Sequence, residues 1–319
     1  MTKGKATRAL VLFFAAAAVL AAGFVYWGRP WLNSYQTSGT IVLPGLSRPV
    51  AVMRDEKGMA YVHAANLHDA VMAQGFVTAQ DRLFQMQLTR LLAQGRICEL
   101  VGEAGRRSDV KMRTIGIHRN AKKHAKILDE RTRLFIRKYL DGVNAFVTSR
   151  KHEHHLEFRL AGIAPELWDV PDVLSIVYFM SWITSANFNS EIIAQLIVEK
   201  VGLERAREIF PLNINPDDHK DEGDKAETPH ARDGRVHLRA DTSLLEYLDI
   251  SGRGFGSNNW TVAPGRSPSG KPIVADDPHL DSRILPGVWY PIGIITPDVR
   301  AVGVMIAGVP GMVIGRTER

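Results

Sequence analysis

The hydrophobic rhythm of the chain changes from segment to segment, and each rhythm predicts a different element. Lys3, Lys5 and Arg8 precede an uncharged run of twenty residues from Ala9 to Gly28. At about 1.5 Å per residue a helix of that length spans roughly 30 Å, the hydrocarbon thickness of a bilayer, whereas the apolar part of a cleaved export signal is about 7–15 residues. Length therefore predicts a signal anchor over residues 1–30. The positive charge keeps its short N-terminal side in the cytoplasm and sends the chain beyond Arg29 to the periplasmic or extracytoplasmic side. Small residues at Ala21, Ala22 and Gly23 leave a cleaved signal as the alternative.

From Thr40 to His63 the pattern has the period of strands: Thr40–Leu43, a Pro44-Gly45 turn, Val50–Met53, a charged turn at Asp55–Gly58, and Ala60–His63. Asn66 followed by Asp69 reads as a cap opening a long helix whose apolar positions run through Phe76, Leu83, Met86 and Leu91 to Gly95. Further helices are predicted over 120–150 and 171–202, with Pro171 suited to a helix start. Between Asn215 and Arg235 apolar residues almost vanish, while Asp217, Asp218, Asp221, Glu222, Asp224 and Glu227 crowd together, which predicts a solvated linker. From Trp260 the chain turns to short apolar runs broken by Gly and Pro, the pattern of strands and turns. The order is anchor (1–30), a mostly helical region (31–212), a charged spacer (213–256) and a β-rich region (257–319).

Composition narrows the function classes. With 45% hydrophobic and 23% charged residues the chain has an ordinary globular composition. The net charge of +6 is scattered, with no basic helix interleaved with aromatics, so nucleic acid is not an expected partner. One cysteine, Cys98, excludes an intrachain disulfide and a cysteine-based zinc site, and its apolar surroundings predict a small buried hydrophobe. His152, His154 and His155 read as a surface loop rather than a metal site.

The chemistry-bearing stretch is Gly254-Phe-Gly-Ser-Asn-Asn-Trp260, at the end of the charged spacer. A serine hydroxyl is a weak nucleophile, and an N-terminal serine supplies its own base through an α-amine of pKa about 8. Freeing that amine requires a cut between Gly256 and Ser257, and Gly256 has no Cβ to oppose the strained backbone of an attack on its carbonyl. Read alone, the four residues Gly-Ser-Asn-Asn make an ordinary turn.

The flanking sequence changes that reading. Gly-Ser-Asn-Asn-Trp260, the Ser269-Gly-Lys-Pro272 turn and Asp277-Pro-His-Leu280 resemble, in order and spacing, the penicillin acylase (penicillin amidase) family. Leu46–Asp55, Gly75–Met86, Gly142–Phe146 and Pro165–Trp168 look like landmarks of the same family, so the resemblance covers about residues 40 to 319. It implies an α+β fold, the αββα sandwich of N-terminal-nucleophile hydrolases, incomplete here and preceded by the anchor helix. It further implies self-cleavage of one precursor into an α/β heterodimer, and hydrolysis of a small-molecule linear amide such as a β-lactam side chain. Ser257 would be nucleophile and base, and His279, as in the cephalosporin-acylase branch, would orient the serine and its amine, with a structural histidine as the alternative. Trp289 and Tyr290 would line the acyl pocket, with core packing as the alternative. Asn187–Glu191 resembles the segment whose glutamate ligates a structural calcium, for which Glu191 supplies one oxygen donor group; a solvent-facing carboxylate is the alternative. No organic cofactor is implied.

In the family the oxyanion donors follow a segment like Gly315–Arg319, so the chain is expected to be the front part of the enzyme, inactive by itself. Two other readings stand beside this one: a quorum-quenching acyl-homoserine lactone acylase, and an inactive membrane-anchored remnant.

Overall fold

In the computed structural model, residues 3–24, 36, 38–184, 187–209, 257–280 and 286–318 are described, apart from the side chains of 3–10, 152, 187–191 and 207. They form α1 (Lys3–Gly23), β1 (Ala51–Arg54), β2 (Ala60–His63), α2 (Leu67–Gln94), α3 (Cys98–Val101), α4 (Arg106–Ile115), α5 (Ile117–Ile127), α6 (Glu130–Ser149), α7 (Leu156–Ala161) and α8 (Val170–Thr184). After these come α9 (Asn187–Val201), α10 (Leu203–Ile209), β3 (Ser257–Val262), β4 (Ile273–Pro278), β5 (Trp289–Ile295), β6 (Arg300–Ile306) and β7 (Ile314–Thr317). The chain divides into two compact units, Met1–Met180 with Leu280–Arg319, and Ser181–His279. The expected spacer, 213–256, lies outside the described residues.

The first unit is built on a mixed sheet of order β1-β2-β5-β6-β7. β2 and β5 run parallel, with Ala60 opposite Ile292 and His63 opposite Ile295; the other pairings are antiparallel. Strands from both sides of the charged segment therefore share one sheet. Ala60, Val62, Ile292, Ile294 and Met305 are buried on it and join one core with α2 and α6. Full burial of each large side chain contributes about 1.5–3 kcal/mol, so this shared core is a principal source of the unit's stability.

The cap expected at Asn66 is present: its side chain accepts from the Asp69 amide, and α2 ends where Gly95 adopts the left-handed conformation. Asp69 also closes the loop before β1, accepting from Ser47 N at 2.8 Å, Ser47 Oγ at 2.6 Å and Arg48 N at 3.1 Å. Burial acts to raise its pKa, but these bonds and that from Asn66 outweigh it and hold the carboxyl below its ordinary value.

Two sequence expectations need correction. Thr40–Leu43 forms no strand; Ile41 and Leu43 instead pack on the core from an irregular segment. The helix expected over 120–150 is broken between Ile127 and Glu130, because Asp129 accepts from the Thr132 amide and starts α6 afresh. The described parts of 171–202 are helical, as α8 and α9, with residues 185 and 186 outside the described residues. At the N-terminus α1 lies within the expected anchor, and among the described residues no helix is long and apolar enough to cross a membrane.

Helices α2 and α6 touch backbone to backbone. A Cβ added at Gly75 would lie 2.0 Å from the Tyr139 carbonyl oxygen, and one at Gly142 would lie 1.9 Å from the Met72 carbonyl oxygen. Phe76 and Phe146 fill the space beside this contact edge to face, ring centres 5.6 Å apart. Since backbone cannot yield as a side chain can, Gly142→Ala is expected to destabilise the protein by about 3 kcal/mol or more. Thermal unfolding of the purified variant measures this, and an unchanged midpoint would show that the helices have room to part.

Candidate active site

Ser257 is the first residue of β3, and β3 pairs antiparallel with β4 from Ser257 opposite Pro278 to Val262 opposite Ile273. The connection is compact: Pro264–Arg266 forms a turn of 3-10 helix, and Gly270 N donates to Ser267 O at 3.0 Å in the Ser-Gly-Lys-Pro turn. Pairing thus converts a separation of 22 positions into neighbourhood, since His279 directly follows the residue opposite Ser257. Ser257 is exposed, as a nucleophile must be to meet a substrate.

The imidazole of His279 is already engaged. Its Nε2 lies 2.8 Å from Asp277 Oδ2 and 3.3 Å from Asn258 Nδ2. Asp277 and Asn258 were not singled out in the sequence, although a signal was there. Residues two apart in a strand face the same way, so Asp277 and His279 belong to one face, and Asn258 is the register partner of Asp277. The structure brings Ser257 and His279 to one end of a hairpin; Gly256 lies outside the described residues.

Trp289 and Tyr290 belong to the other unit, on β5. Trp289 is half-buried, while Tyr290 is 5% exposed and donates its hydroxyl to Asp81 Oδ2 at 2.6 Å. Asp81 in turn accepts two hydrogen bonds from Arg54, at 2.8 and 3.0 Å, and the Arg82 guanidinium lies 5.6 Å from the Tyr290 ring centre. Burial, and then the Asp81 charge, push the Tyr290 phenol far above its ordinary pKa, so it stays a neutral donor. A cavity of about 370 Å³ opens here, lined among others by Arg54, Gln80, Asp81, Arg82, His155 and Tyr290. Tyr290 is anchored to α2 through its hydroxyl while it lines this charged cavity.

Glu191 lies in the first turns of α9. A calcium ion needs six to eight oxygens, and among the described residues no three His, Cys, Asp or Glu side chains stand together as a metal site. The Glu191 side chain lies outside those described, and the calcium expectation rests on the Asn187–Glu191 resemblance. The histidine-rich stretch is more than a loop. His155 is half-buried against α2, with Nε2 2.8 Å from Gln80 O and Nδ1 accepting from Phe84 N at 3.3 Å. His154 Nε2 contacts Val147 O at 3.1 Å. Cys98 is half-buried near Asp109, whose hydrogen bond comes first among the effects that raise the thiol pKa, so the less reactive protonated thiol is favoured.

With this geometry in place, the comparisons with known proteins are consistent. The penicillin amidase family model matches residues 49–319, and the chain belongs to that family. It is 33% identical over 286 residues to the acyl-homoserine lactone acylase QuiP of Pseudomonas aeruginosa, covering 88% of this chain and 33% of that protein. It is 34% identical over 283 residues to the penicillin acylase 2 proenzyme of a Pseudomonas strain, covering 86% of this chain and 35% of that one. The chain thus spans about a third of the length of these relatives. Among solved structures, a penicillin G acylase from Alcaligenes faecalis aligns with a TM-score of 0.43 and 28% identity, over 52% of this chain and 92% of that one.

The Tyr290 assignment is testable. Tyr290→Phe should lower stability by about 1–3 kcal/mol, because Asp81 loses a short hydrogen bond in a partly buried setting. It should leave KM unchanged in the intact enzyme. A raised KM with an unchanged melting temperature would return Tyr290 to the substrate pocket.

Proposed function

We propose that the intact gene product is a self-processing amide hydrolase of the penicillin acylase type, with Ser257 as its N-terminal nucleophile. One observation carries this reading. Within the span matched by the family, the serine at the end of a charged segment begins a strand, and the residue opposite it in the hairpin directly precedes His279. Cleavage after Gly256 frees the α-amine. In turnover the amine takes the hydroxyl proton as Oγ adds to the substrate carbonyl. Collapse breaks the C–N bond and passes that proton to the leaving amine. Water then splits the ester, releasing the acid and restoring the serine.

After the cut the two chains would stay together as an α/β heterodimer, because β1 and β2 come from one and β5 to β7 from the other. The hairpin supports a larger sandwich in the intact protein: Trp260 and Ile273, on one face of it, are 52% and 47% exposed, apolar surface that a second sheet would cover. A membrane anchor is supported by α1, whose Val11, Leu12, Phe13, Phe14, Val19 and Leu20 are 62–73% exposed all round the helix. With Lys3, Lys5 and Arg8 ahead of it, such an anchor would put the hydrolase on the extracytoplasmic face.

The substrate is an N-acyl amide. Similarity to QuiP favours a second reading within the same chemistry, an acyl-homoserine lactone acylase. Rates on long-chain acyl-homoserine lactones against phenylacetyl and glutaryl amides separate the two.

Ser257→Ala should abolish both maturation and hydrolysis, while Ser257→Cys should cleave but turn over poorly. Gel analysis of each precursor and N-terminal sequencing of the second chain check this, with Ser-Asn-Asn-Trp as the expected start. A Ser257→Ala variant that matures and hydrolyses amides would contradict the proposal.

A further inference from the structure

We propose that Asp277 is the positioning residue of the site: it holds His279 in the tautomer that leaves Nδ1 as the nitrogen able to accept a proton. The role of His279 rests on the hydrolase reading above, but the pairing does not.

Two groups meet one ring nitrogen. His279 Nε2 is 2.8 Å from Asp277 Oδ2 and 3.3 Å from Asn258 Nδ2. A carboxylate only accepts and an amide nitrogen only donates, so a single imidazole nitrogen cannot satisfy both. The shorter contact, to the charged partner, is the stronger, which puts the hydrogen on Nε2. Neutral His279 then carries its lone pair on Nδ1, and any proton that it accepts arrives there.

The backbone gives the pair its geometry. Asp277 lies in β4 and His279 follows the strand by one residue, so the two side chains leave an extended chain on the same side. Asn258 stands opposite Asp277 in the ladder and confines the ring from the neighbouring strand. Pro278, between them, fixes φ and limits the backbone's freedom to turn His279 away. Both side chains are about half exposed, 47% for His279 and 56% for Asp277, so orientation rather than burial is what the carboxylate supplies.

The test uses the intact gene product labelled with 15N-histidine, its His279 signal assigned by loss in His279→Gln. The wild type should show a neutral ring protonated at Nε2. Asp277→Ala should shift the ring nitrogens toward a mixture of tautomers and lower kcat by about tenfold or more with little change in KM, as expected when a histidine loses the carboxylate that orients it. Asp277→Glu, which keeps a carboxylate on the same strand face, should restore part of both, whereas Asp277→Asn, whose amide can present an N–H to Nε2, should not. An Asp277→Ala ring spectrum identical to wild type, or a wild-type ring protonated at Nδ1, overturns the pairing. Activity surviving in Ser257→Ala would instead overturn the hydrolase reading, while the nitrogen spectra still decide the pair.

Discussion

Ala60–His63 and Ile292–Ile295 lie side by side as parallel strands although more than two hundred residues separate them, and the rest of the first unit is arranged around that joint. Parallel neighbours cannot be linked by a tight turn. Here the connection holds most of the helices, the charged segment and the Ser257 hairpin. Behind the joint Ala60, Val62, Ile292 and Ile294 are buried, so parting the strands would expose apolar surface and unpaired backbone together. A chain folded this way can be cut in its middle and still be held as one body. The self-processing proposed at Ser257 would need that property, because the new N-terminus would have to stay where folding put it.

Helix α2 is the beam on which the joint rests, and the segments that carry the family resemblance are largely its fastenings. Ser47 and Arg48 bind Asp69 near its start, Arg54 binds Asp81 at its middle, and Arg90 reaches Glu166 at 3.0 Å and the Leu167 carbonyl at 3.1 Å near its end. The Asn144 side chain clamps Trp168 through both its amide nitrogen and its oxygen, at 2.9 and 2.8 Å, and Arg90 stacks 5.1 Å from the Trp168 ring centre. These residues make scaffold. The chemistry proposed here is concentrated in the short hairpin from Ser257 to His279.

That division explains what could be read in advance. α2 was legible at both ends because its cap and its terminal glycine are local signals, and the hairpin was legible as strand, turn and strand. Asp277 was legible in principle from its spacing to His279. The β2–β5 pairing was not, since nothing local in Ala60–His63 names a partner so distant in the chain. Thr40–Leu43 misled because alternation marks one buried side, and an irregular segment can bury Ile41 and Leu43 equally well. Tyr290 was legible only in part: the aromatic ring was visible in the sequence, whereas the carboxylate that takes its hydroxyl lies on α2.

If a chain divided at Ser257 remains one folded body, native mass spectrometry of the matured gene product should find a complex of two chains, the second beginning at Ser257, that separates only in denaturant. A mature active protein that is a single uncut chain, or two chains that part in native buffer, would contradict it.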